Sequence, residues 1–166
     1  MAPDPTVTVT RGYLPGAIGR IAELHGTYYA NHWGFDLFFE AKVATELSAF
    51  LKAYNADRDA LWVVTVDGRV EGGIAIDGTH AAETGAHLRW FILSDALRGK
   101  GMGRQVLNRA IDFCVEKAYR RIFLWTFEGL DVARHLYQSV GFNLTCQQKG
   151  AAWGSEVNEQ MFEYMP

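Results

Sequence analysis

Hydrophobic positions along the chain recur with two periods, and each change of period marks an element. Thr6-Val7-Thr8-Val9-Thr10 alternates and is rich in β-branched residues, which predicts a strand. Arg11 to Gly16 breaks it with two glycines and a proline. Ile18, Ile21, Leu24 and Tyr28 then fall at helical spacing over roughly 16–30, and Phe39, Val43, Leu47, Phe50 and Leu51 do so over about 36–54. Leu61–Val66 and Val70–Ile76 read as strands joined at Asp67-Gly68, a two-residue hairpin signal because glycine readily takes the positive φ of a type I′ turn. A loop over 79–85 leads to a third strand, His87 to Leu93.

The clearest helix is 101–118, with Met102, Val106, Leu107, Ala110, Ile111, Cys114, Val115 and Ala118 on one stripe. Ile122 to Trp125 is a short, wholly apolar strand, as expected where both faces of a sheet are covered. Leu130, Ala133, Leu136, Tyr137 and Val140 give a further short helix that Gly141 stops. Phe142 to Cys146 and Val157 to Tyr164 read as two closing strands. The order β-α-α-β-β-β-α-β-α-β-β combines a hairpin with one strand–helix–strand crossover, so the expected class is α+β, layered around a mixed sheet.

Composition narrows the picture. At 166 residues the chain suits one domain with a real core, here 6–166 after a loose terminus at 1–5. A net charge of −3 argues against a broad nucleic-acid-binding face, although a local basic site remains possible. No apolar run approaches the roughly 20 residues of a membrane span, so no membrane partner is expected. Met1-Ala2-Pro3-Asp4-Pro5 lacks the features of a signal peptide. Two cysteines, Cys114 and Cys146, are too few for a disulfide scaffold or a structural zinc site, which points to a cytoplasmic protein without a metal. A homodimer through the final strands or an exposed sheet edge is a further expectation.

Candidate chemistry concentrates at Leu97-Arg98-Gly99-Lys100-Gly101-Met102-Gly103-Arg104. The segment follows a strand and opens the best helix. A first helical turn offers unpaired N–H groups and the positive end of the dipole, glycines admit a ligand to the backbone, and Arg98, Lys100 and Arg104 add charge. Such a loop suits a phosphate or pyrophosphate. No stretch fits the P-loop pattern Gly-x-x-x-x-Gly-Lys-Ser/Thr, and the glycine spacing fails the dinucleotide fingerprint.

Arg98-Gly99-Lys100-Gly101-Met102-Gly103 matches the Arg/Gln-x-x-Gly-x-Gly/Ala motif, and on it the chain resembles the GNAT family of acetyl-coenzyme A-dependent N-acetyltransferases. The flanking strand and helix, the strand at 121–126, and Ala133-Arg134-His135-Leu136-Tyr137 followed by Val140-Gly141-Phe142 look like that family in the same order, over roughly 6–164. The aromatic N-terminal part and Leu124-Trp125-Thr126 also resemble the acetyltransferase half of bacterial regulator–acetyltransferase fusions. The resemblance implies a mostly antiparallel sheet of about six or seven strands with about four helices. It further implies that strands 86–93 and 121–126 splay apart around the pantetheine arm of acetyl-coenzyme A. Phe91, Ile92 and Leu93 would pair with that arm, and Arg98 and the amides of 99–104 would hold the pyrophosphate.

By the same resemblance Tyr137 would protonate the leaving thiolate. The base is less defined. The positions where many members carry a glutamate hold His87 and Arg89; His87 has a suitable intrinsic pKa, and Glu83 and Glu128 are other candidates. An asparagine often found early in the tyrosine helix is replaced in the region of Leu130 and Asp131. The acceptor, a primary amine of a small molecule or a protein, would enter between the two N-terminal helices. Tyr28, His32, Trp33, Phe35 and Phe38 would form an aromatic rim there, with Tyr28 and Trp33 as the binding residues. The alternative function is a non-catalytic acetyl-coenzyme A sensor, for which the missing glutamate speaks and against which Tyr137 speaks.

Overall fold

The structure is a computed structural model that describes all 166 residues. Seven strands form one sheet in the order β1-β2-β3-β4-β5-β7-β6. They are β1 (Val7–Arg11), β2 (Ala60–Val66), β3 (Arg69–Asp77), β4 (Ala86–Leu93), β5 (Ile122–Phe127), β6 (Asn143–Gly150) and β7 (Val157–Tyr164). Four helices accompany them: α1 (Ala17–Trp33), α2 (Leu37–Lys52), α3 (Met102–Glu116) and α4 (Asp131–Ser139). All neighbours pair antiparallel except β4 and β5, which are joined through α3. The α+β class and the strand and helix numbers expected from the sequence are therefore observed.

The β2–β3 turn forms as its residues dictate, with Asp67 at φ 49° and Gly68 at φ 83°. Alternation then builds two cores, one on each face of the sheet. Trp62, Val64, Ile74 and Leu88 pack with α3, while Leu61, Val63, Ala75 and Trp90 pack with α1 and α2. Residues such as Leu107 and Leu47 are fully buried, each contributing about 1.5–3 kcal/mol of apolar burial.

The α3 stripe differs from expectation at its end. Val115 is 53% exposed, and Ala118 turns to φ 57° beyond the helix. Phe113 is buried instead, edge-on to Trp62 at 6.0 Å and under the Arg11 guanidinium at 4.7 Å. β6 runs longer than expected because its outer half pairs with β7 through polar residues, Gln147 opposite Gln160 and Gln148 opposite Glu159. No helix is long and apolar enough to cross a membrane.

Candidate active site

β4 and β5 pair only at Ala86 with Ile122 and His87 with Phe123. Beyond that the strands diverge, and the β5-facing backbone of 88–93 has no strand partner. The divergence coincides with a bulge. The β3–β4 register shifts between Gly73 and Ala75, and Trp90 sits at φ 49°, a conformation worth about 1–3 kcal/mol of strain in a bulky residue. The bulge turns Arg89 and Trp90 to one face: Arg89 meets Glu46 of α2 at 2.5 Å, and Trp90 packs on Phe50 of α2 at 5.4 Å. Gly72 allows the close approach, since a Cβ there would stand 2.6 Å from the Ile92 carbonyl oxygen.

The opening is the middle of a cavity of about 1140 Å³ that runs from the glycine loop to α1 and α2. At the loop end, Gly99 and Gly101 take φ 71° and 69°, and Gln105 is the first residue of α3 whose N–H bonds back, to the Gly101 carbonyl at 3.1 Å. Every amide from Gly99 through Arg104 is left without a backbone acceptor. This is a concave row of donors at a helix start, the arrangement that suits a diphosphate. Arg98, Gly99, Gly101, Met102 and Gly103 line the cavity. Lys100 is exposed and outside the lining, and Arg104 is tied to the Ser139 hydroxyl of α4 at 2.9 Å. Their side chains add charge around the loop rather than walls to the cavity.

Phe91, Ile92 and Leu93 line the slot, and Tyr137 lies beside them, its ring 6.1 Å from Phe91. Burial, with a smaller contribution from Tyr29, pushes the Tyr137 phenol above its ordinary value, so it remains protonated at neutral pH. A protonated phenol facing the slot can donate a proton to a leaving group there. On the other side of the sheet the slot opens toward α1. Tyr28 lies edge-on to Tyr29 at 5.0 Å, and Trp33, 37% exposed, stands edge-on to Phe127 at 4.9 Å and packs over Gly129. Both expected acceptor residues, Tyr28 and Trp33, line the cavity, as does His32. Two members of the expected rim do not: Phe35 is core, 3% exposed, and Phe38 is exposed against Gly154.

His87 lies where β4 and β5 still pair, its ring stacked on Phe123 at 4.5 Å. Burial, then Arg89, push its pKa down to about 3 against the opposing pull of Asp77. It is a neutral, weakly basic imidazole at the closed end of the slot, four residues before Phe91, or roughly 13 Å along the strand. Glu83 and Glu128 are exposed and outside the cavity lining. No group of three His, Cys, Asp or Glu comes together as a metal site would require.

Among the cavity residues that sequence reasoning missed are two buried titratable groups. His25 is buried in α1, its Nδ1 2.8 Å from the Ile21 carbonyl, and burial lowers its pKa to about 4. With Nδ1–H donating to that carbonyl, Nε2 is the accepting nitrogen. Glu159 of β7 is buried and lines the cavity. His25 falls within the helical pattern of α1, and Glu159 reads as one polar residue among several near the chain end; neither stands in a motif.

The pattern of the Acetyltransferase (GNAT) family matches residues 20–142, most of the chain. The chain belongs to the GNAT acetyltransferase family. It is similar to the Uncharacterized N-acetyltransferase YjgM of Escherichia coli, 30% identical over 97 residues, which is 58% of each chain. It is 25% identical to human N-acetylaspartate synthetase over 135 residues, 81% of this chain and 44% of that one. The chain thus spans about half the length of the curated relatives it matches. Its fold matches that of yncA from Salmonella typhimurium, solved with its cofactor acetyl-CoA, with a TM-score of 0.71, 18% identity, and coverage of 95% and 94% of the two chains. In this GNAT member the slot, the glycine loop and the tyrosine helix follow one another in the order its sequence motif implied.

Proposed function

We propose that this GNAT chain is an N-acetyltransferase that moves the acetyl group of acetyl-coenzyme A to a primary amine. One observation carries the reading: a slot between β4 and β5 with a row of free amides from Gly99 to Arg104 at one end and a buried, protonated Tyr137 along its wall. The diphosphate of the thioester substrate suits the amides, assisted by Arg98. The two amides of its pantetheine arm suit the unpaired backbone of 88–93, as an added strand would. The YjgM and yncA likenesses support the same substrate pair.

In this reading the amine nitrogen, once neutral, attacks the thioester carbonyl. A backbone N–H near Ile92 or Leu93 stabilises the oxyanion. The C–S bond then breaks, Tyr137 gives its proton to the departing thiolate, and the proton released from the new amide nitrogen restores the phenol. His87 is neutral, and its depth and low basicity make it a poor acceptor of the amine's proton.

Titration calorimetry with acetyl-coenzyme A, followed by thiol release against a panel of primary amines, tests the proposal. Uptake with turnover of at least one amine is expected. Absence of uptake refutes the cofactor assignment, and uptake without turnover of any amine refutes the enzymatic one.

A further inference from the structure

The acceptor end of the cavity holds more charge than an aromatic rim needs, and the way that charge is paired is informative. Two cations line it, Lys42 and Arg89. Both are already engaged. Lys42 Nζ lies 2.7 Å from Glu46 Oε1, and Arg89 lies 2.5 Å from Glu46 Oε2 and 3.8 Å from Asp77 while its guanidinium covers Trp90 at 4.1 Å. Glu159 is different. It is 6% exposed, lines the same cavity, and forms no ion pair. Its only donors are neutral: the Ala152 N–H at 3.0 Å and Gln148 Nε2 at 3.2 Å.

These contacts are a built seat rather than an accident of burial. Gly150 leaves the space that the carboxylate fills, since a Cβ there would overlap its oxygens. The β6–β7 hairpin therefore wraps the group through Gln148, Gly150 and Ala152. Strand register directs it as well. Glu159 pairs with Phe127 across β5 and β7, and opposed residues share a face, so it stands on the α1–α2 side with Phe127. Phe127 in turn touches Trp33 at 4.9 Å and Trp153 at 5.6 Å. A carboxylate has about four acceptor positions, and two neutral donors leave capacity for a cation. Burying a charge without a counterion is costly, and a cationic ligand arriving among aromatic faces would relieve that cost.

Resting on the acetyltransferase reading above, we propose that Glu159 receives the ammonium group of the acceptor. The acceptor is then a primary amine carried on an apolar or aromatic body, rather than an acidic amino acid. An added carboxylate on the acceptor would find both cations of the acceptor end, Lys42 and Arg89, already neutralised by Glu46 and Asp77, and would meet Glu159 with like charge.

Thiol release from acetyl-coenzyme A with 2-phenylethylamine, phenylalanine and aspartate as probe acceptors tests this in the unaltered protein. The expected order has 2-phenylethylamine ahead of both amino acids by at least about tenfold in kcat/KM, since like charge facing like charge is penalised by 1.4 kcal/mol or more. Glu159→Gln keeps an oxygen for the Ala152 N–H and removes the charge. It should raise the KM for 2-phenylethylamine by at least about thirtyfold while leaving acetyl-coenzyme A uptake by calorimetry unchanged. Aspartate as the better acceptor, or a KM within threefold of the unaltered protein, overturns the assignment of Glu159 and leaves the acetyltransferase standing. Uptake of acetyl-coenzyme A with no amine turned over fails the acetyltransferase itself, and the inference with it. If Glu159→Gln does not fold by circular dichroism, the acceptor order in the unaltered protein decides.

Discussion

Replacing Tyr137 by phenylalanine separates the chemistry of this side chain from its packing. The ring is buried at 7% exposure among Phe91, Phe142 and Phe162, with centroid distances of 6.1, 6.0 and 6.1 Å. Phenylalanine keeps all three contacts. The hydroxyl has no hydrogen-bond partner in the protein and is not sealed in the core, so its loss leaves no orphaned donor or acceptor. Stability should therefore change by less than about 1 kcal/mol. The reaction should change much more. A positioned general acid contributes about 10²- to 10⁴-fold, which is about 3–5 kcal/mol of barrier. The assay is kcat and KM by thiol release, paired with thermal unfolding of both proteins. Expected are a kcat lower by at least a hundredfold (~10² by the same reasoning), an unchanged affinity for acetyl-coenzyme A and a nearly unchanged Tm. Because burial and Tyr29 hold the phenol above its usual range, the unaltered protein should show no loss of activity from Tyr137 ionisation below about pH 10. A kcat within threefold of the unaltered value would refute the acid role, and a large fall in Tm would refute the claim that the hydroxyl is structurally idle.

Other consequences can be checked alongside. Gly101→Val places a branched side chain at φ 69°, where the conformation costs about 1–3 kcal/mol, and should weaken acetyl-coenzyme A binding at least about tenfold by calorimetry as the amide row deforms. Leu107→Ala removes a fully buried side chain from the α3 core and should cost about 2–5 kcal/mol in a urea titration. His25 and His87 have folded pKa values lowered to about 4 and about 3, whereas the unfolded chain titrates them near 6.5. Between those values the unfolded state binds more protons, so stability should fall as pH is lowered from about 6.5 toward 3, and His25→Leu should flatten the upper part of that slope in urea midpoints. Trp33→Ala should raise the acceptor KM with little effect on acetyl-coenzyme A binding, and equal KM values would remove Trp33 from the acceptor site.

What could be read in the chain was whatever depends on local pattern. The Asp67-Gly68 turn, the α3 stripe through Cys114 and the glycine loop each carry their reason within a few residues, and each stands where its pattern predicts. The bulge at Trp90 has no such signature. Nothing in His87 to Leu93 marks a residue at positive φ, because the conformation is imposed by the pairing with Gly72 and Gly73 on β3. The burial of Phe113 rather than Val115, two positions apart on α3, depends on Trp62 and Arg11, distant in sequence. Glu159 illustrates the same limit at the site. A glutamate near the chain end reads as a solvated strand residue, and only the β6–β7 register and the missing side chain of Gly150 turn it inward.

The two register pairs that join β4 to β5 are also the only strand pairing between the four-stranded and three-stranded halves of the sheet. A ligand lying in the gap would act as an eighth, removable ribbon that completes the seam. Occupancy and mechanical cohesion thereby become one property. The amide hydrogens of 88–93 and 124–127 that face the gap, rather than those paired with β3 and β7, should exchange with solvent freely in the empty protein and slow together when the gap is filled.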